Sequence, residues 1–112
     1  MKASLLIALL AFVSSSAQAG SGGAAAQKAE VCAACHGADF NTPISEDIPR
    51  LAGQYPDYLA RAMTDYKSGV RKNALMNGQA EGLSAQDIEE LSAYIGALPG
   101  NLKILPLHRF IR

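Results

Sequence analysis

The 112-residue chain carries ten basic and ten acidic side chains, two cysteines, two histidines and no tryptophan. Balanced charge without a clustered basic excess excludes the electrostatic footprint of a nucleic-acid binder. A chain of this length has room for one small domain that buries a comparatively low fraction of its surface, so something beyond its apolar core is needed to hold it together.

Residues 1–20, MKASLLIALLAFVSSSAQAG, open with Lys2, continue in an apolar run from Leu5 to Val13 and reach Ala17-Gln18-Ala19. The run is too short to span a bilayer, and small-x-small is the pattern of a cleavage site. The segment therefore predicts a secretory signal peptide, 1–19, cut after Ala19, with delivery to the periplasm. The remainder holds no run of membrane-spanning length and is expected to be soluble, with a domain over 20–100 and a tail over 101–112.

The lead GSGGAAAQ at 20–27 predicts a flexible start that turns helical through the alanines and on into Cys32, with Gly37 as the stop. Residues 38–53, ADFNTPISEDIPRLAG, contain Pro43 and Pro49 and no sustained period, which predicts a loop. Connections of that length usually cover something. YPDYLARAMTDYKSG, 55–69, predicts a helix with Pro56 at its first position, Asp57 in its first turn, Leu59, Met63 and Tyr66 on one face, and Gly69 as its end. Residues 70–83, VRKNALMNGQAEGL, lack a period, hold Gly78 and Gly82, and predict a second loop. Ser84 with Asp87 three residues later opens the last helix, where Ile88, Leu91, Ile95 and Leu98 form an apolar stripe, Glu89 and Glu90 the wet side, and Pro99-Gly100 the end. No alternating strand pattern occurs, so the fold class is all-α.

Both cysteines and His36 fall within CAACHG, 32–37. A redox Cys-x-x-Cys pair belongs in a strand-helix context, which this helical pattern lacks. A structural zinc site needs four ligands, and the only other residue of the favoured kinds is the distant His108. A bare disulfide would leave His36 and the two long loops without a purpose. Covalent haem attachment uses all three residues: the thiols of Cys32 and Cys35 add to porphyrin vinyl groups, and His36 becomes an axial iron ligand. On a helix, positions three and four apart project toward one side, where one macrocycle can engage them. The opposite axial position has two candidates besides an open face. Met76, beside Asn77-Gly78, is the favoured one; His108, in the tail, is its competitor, and Met63 reads as core. The choice sets the chemistry, because a Met sulfur closes the site for electron transfer whereas an open face admits small ligands.

Together CAACHG (32–37), IPRLAGQYPDYL (48–59), YKSGVRKN (66–73), Met76 and GLSAQDIEELSAYI (82–95) resemble the class I c-type cytochromes, specifically the small soluble monohaem bacterial group that includes cytochrome c-553. The resemblance implies three to four helices and loops wrapped around one covalently attached haem c. It implies His36 and Met76 as axial ligands, Pro49 as the carbonyl that orients the proximal imidazole, Leu51, Tyr55, Leu59 and Tyr66 as pocket residues, and Tyr94 as the aromatic between the last and first helices. It further implies a periplasmic one-electron carrier, not an enzyme, that is monomeric and meets redox partner proteins weakly and transiently. The alternative it leaves is a haem-bearing subunit of a periplasmic oxidoreductase. Two departures stand out: Gln79 occupies a position where many relatives have a second methionine, and the tail NLKILPLHRFIR, 101–112, extends beyond the match. That apolar, basic tail is a candidate contact for a partner or an anionic membrane surface.

Overall fold

The computed structural model describes residues 21–103; the segment read as a signal peptide and residues 104–112, His108 included, lie outside the described residues. Among the described residues four helices form the regular structure: α1 Ser21–His36, α2 Pro56–Ser68, α3 Ala74–Glu81 and α4 Ala85–Ala97. No strand occurs among the described residues, in keeping with the all-α expectation.

Local chemistry sets the helix ends. Pro56 enters α2 in its first turn, where a missing N–H breaks no helical hydrogen bond, and Gly69 ends it in the left-handed region with φ 80°. At α4 the Ser84 side chain accepts from the Asp87 N–H while the Asp87 carboxylate accepts from the Ser84 N–H. Aspartate thus completes a capping box in which glutamate is the usual partner. Gly37, at φ 92°, turns the chain out of α1; a Cβ at this position would lie 2.2 Å from the Thr42 carbonyl oxygen, so no other residue fits without backbone movement.

The helices pack in series, α1 on α4, α4 on α2, and α2 on α3. Their shared core comprises Ala29, Phe40, Ala52, Leu59, Leu91 and Ile95, with Cys32, Leu51, Met63, Tyr94 and Leu98 packed against it. The stripe expected on α4 is buried at Ile88, Leu91 and Ile95 and half-buried at Leu98. Its wet side is less open than the pattern predicts. Lys28 Nζ reaches from α1 to lie 2.7 Å from Asp87 Oδ1 and 2.8 Å from Glu90 Oε2, so Glu90 is an interhelical ion-pair partner.

Helix α3 corrects the loop expected over 70–83. It is eight residues long, only Ala80 on it is buried, and Leu75 is 76% exposed. A helix with so small an apolar face leaves no period in the sequence. Its legible signal is Asn73, which caps the helix by accepting from the Met76 N–H at 3.0 Å.

The 38–53 connection contains no helix, as expected. Phe40 pins it: the ring is 3% exposed, the residue sits at φ 55°, and its carbonyl accepts from the N–H groups of Leu51 at 2.8 Å and Ala52 at 2.9 Å. Burial of a large aromatic holds a backbone conformation that a non-glycine residue rarely adopts.

Candidate functional site

The last turn of α1 carries Cys32, Cys35 and His36. Both thiols are free; Cys32 is half-buried against the core and Cys35 is exposed. Burial pushes the Cys32 thiol pKa up, the opposite of the thiolate activation a redox dithiol needs. Among the described residues no group of three or more His, Cys, Asp and Glu side chains is placed to hold a metal ion, which leaves no zinc cluster around the cysteine pair.

His36 is buried, and its Nδ1 lies 2.8 Å from the carbonyl oxygen of Pro49. A carbonyl can only accept, so Nδ1 carries a proton; in the neutral ring that tautomer leaves the lone pair that a metal requires on Nε2. The loop delivers this carbonyl through several fastenings. The Ile44 N–H donates to the Cys35 carbonyl at 3.0 Å, the Phe40 carbonyl holds Leu51 and Ala52, and Asp39 Oδ1 accepts from the N–H groups of Asn41 and Thr42. Those N–H donors hold the Asp39 carboxyl below its ordinary range.

The remaining expected site residues run from the end of the 38–53 loop, through α2, to α3. Leu59 is buried in the core, and Leu51 and Met63 pack against it. Tyr55 and Tyr66 are half-buried, with the Arg71 guanidinium 4.9 Å from the centre of the Tyr66 ring. Met76 is half-buried in the first turn of α3. It does not share an element contact with His36, because α3 packs on α2 and α1 on α4, and α1 and α3 do not touch. The structure thus joins His36 to Pro49, gathers Cys32, Leu51 and Leu59 around one core, and leaves Met76 on a separate layer.

This donor set fits a covalently attached haem: two free thiols one helical turn apart, a buried imidazole held at Nδ1 by a backbone carbonyl, and a thioether on an element separate from the imidazole. Sequence reasoning missed two residues that support it. Phe40 shapes the loop carrying Pro49, and Asn77 anchors the turn carrying Met76 through hydrogen bonds to the carbonyls of Tyr66 and Arg71.

A family model described as Cytochrome c matches residues 21–99. The chain belongs to the cytochrome c family. It is similar to cytochrome c4 of Pseudomonas aeruginosa, 44% identical over 79 residues that make up 70% of this chain and 39% of that protein. It is also similar to the cytochrome subunit of sulfide dehydrogenase from Chlorobaculum tepidum, 37% identical across 60% of this chain and 59% of the relative. Among solved structures, reduced recombinant cytochrome c4 from Pseudomonas stutzeri superposes with a TM-score of 0.64 at 36% identity, covering 70% of this chain and 46% of that one. The chain thus spans about half the length of the relatives it matches. Family membership accounts for the c-type motif CAACHG and makes covalent haem the cofactor class for this cytochrome c domain.

Proposed function

We propose that this cytochrome c is a one-electron carrier holding a single haem through Cys32 and Cys35, with His36 and Met76 as axial ligands, and that it works in the periplasm. The observation that carries the reading is the buried His36 ring, held at Nδ1 by the Pro49 carbonyl at 2.8 Å so that Nε2 is presented as a ligand. When bound, the haem supplies reversible one-electron exchange at iron.

The chain's residues do the rest. Cys32 and Cys35 would fix the macrocycle to α1 through two thioether bonds, and the hydrogen bond from His36 to the Pro49 carbonyl would hold the imidazole plane. Leu51, Leu59 and Tyr66 exclude water around the ring, which steadies the potential. Met76 would supply the second iron ligand, which would leave the site to exchange electrons without bond chemistry. Redox partners bind weakly and briefly at a small interface, with the chain a monomer between encounters.

The test is the absorption spectrum of the haem-loaded chain, oxidised and reduced, beside Met76→Ala. A weak far-red band in the native ferric protein that disappears in Met76→Ala supports His36/Met76 ligation. A band missing from the native protein, or surviving in the variant, overturns it.

A second reading, a haem-bearing subunit of an oxidoreductase, is favoured by the similarity to the cytochrome subunit of a sulfide dehydrogenase. Gel filtration of the native periplasmic fraction separates the two: a free carrier elutes at the size of the chain alone, a subunit with its enzyme.

A further inference from the structure

Helix α3 has little to hold it in place. Its eight residues are shorter than an isolated helix needs in water, Gly78 weakens it further, and Ala80 is its only buried residue. Among the described helices it packs on α2 alone. What fastens its first turn is polar. Asn77 Oδ1 accepts from the Asn73 N–H at 2.9 Å, and Asn77 Nδ2 donates to the Tyr66 carbonyl at 2.7 Å and the Arg71 carbonyl at 2.9 Å. One side chain thereby uses its acceptor and both amide hydrogens to join the end of α2, the 69–73 connection and the cap of α3. Asn73 Oδ1 in turn accepts from the Met76 N–H. The connection is tied down independently by the Arg71 N–H to the Asp65 carbonyl and by Arg71 stacked over Tyr66, so Asn77 bonds to a firm base.

Resting on the proposed Met76 ligation, we infer that Asn77 is a positioning residue that sets how readily Met76 leaves the iron. Apolar burial cannot perform that task on a helix with a single buried alanine, so holding the Met76 backbone in register falls to the Asn77 and Asn73 amides. Losing Asn77 removes three hydrogen bonds at once and leaves the part-buried Tyr66 carbonyl and the exposed Arg71 carbonyl without this donor. Asn77→Asp is informative in a different way. It keeps the acceptor for Asn73 but replaces the donor amide with an acceptor-only carboxylate facing two carbonyls, so it should resemble the alanine variant.

The experiment titrates imidazole, a competing sixth ligand, into the haem-loaded ferric chain and follows loss of the far-red band. Native protein, Asn77→Ala, Asn77→Asp, Ser84→Ala and Met76→Ala are compared, with thermal unfolding of each. Imidazole should bind Asn77→Ala and Asn77→Asp about tenfold or more tightly than native, the scale of two or three lost hydrogen bonds. Ser84→Ala removes the α4 cap and serves as the stability control, so it should lower the unfolding temperature while leaving imidazole affinity within about twofold of native. The inference is overturned if Asn77→Ala binds imidazole as the native protein does, or if Ser84→Ala gains affinity as much as Asn77→Ala does. If Met76→Ala retains the far-red band, the axial assignment itself falls and the inference with it, which separates the two failures.

Discussion

The Pro49 carbonyl, thirteen residues beyond His36, holds the imidazole of His36 at 2.8 Å from Nδ1. Because the acceptor is backbone, no side-chain deletion removes it, but Pro49→Gly frees the φ angle that proline locks. The expected result in the haem-loaded protein is faster solvent exchange of the His36 Nδ1 proton, measured by NMR, with the far-red band retained. Unchanged exchange would mean that Ile44, Phe40 and Asp39 hold the 38–53 loop without help from the proline ring.

The ion pairs between α1 and α4 give a pH dependence of known sign. Lys28 holds the Asp87 carboxyl down to about 2 and lowers that of Glu90, while both carboxylates raise Lys28. Depressed carboxylates contribute stability that is present above their unfolded pKa, near 4, and is lost as pH falls toward about 2. Raised Lys28 contributes stability that is fully present below its ordinary value of 10.5 and is lost as pH rises beyond it. Thermal unfolding of native protein against Lys28→Met should therefore differ most near neutrality and converge below pH 2. The gap should also narrow in 1 M salt, since Lys28 is exposed and both carboxylates remain partly open to solvent. A gap that persists in acid would assign the effect to the packed lysine stem rather than to its charge.

Two glycine substitutions should act in opposite directions. Gly37→Ala combines φ 92° with a Cβ 2.2 Å from the Thr42 carbonyl oxygen, and is expected to destabilise by about 2 kcal/mol or more. Gly78→Ala adds a methyl with nothing within 4 Å, in the interior of a short exposed helix, and is expected to stabilise by about 0.5–1 kcal/mol. Denaturant unfolding of both variants reads the two signs. A stabilised Gly37→Ala would refute the turn geometry that ends α1.

The readable parts of this protein are those whose chemistry is local. CAACHG places two thiols and an imidazole within one turn whatever surrounds them. Pro56, Gly69, Ser84 and Asp87 mark helix ends through interactions spanning at most four residues, and α2 and α4 begin where those signals stand. Helix α3 escaped because it buries one alanine, so no hydrophobic period betrays it; its Asn73 cap was the usable sign. Phe40 escaped because a lone aromatic in an aperiodic stretch gives no hint that its carbonyl will gather Leu51 and Ala52.

By itself the sequence determined the helical class, the family and the CAACHG motif, since composition, caps and the spacing of Cys32, Cys35 and His36 act over a few residues. The resemblance already pointed to Pro49 beside His36, to which the structure adds the 2.8 Å contact; only the tertiary structure decided that Lys28 joins α1 to α4 and that Asn77 ties the Met76 turn to α2. Each of these links elements separated along the chain. Such pairings are chosen by how the helices pack, because a hydrogen bond or ion pair forms only once burial has brought both partners within reach.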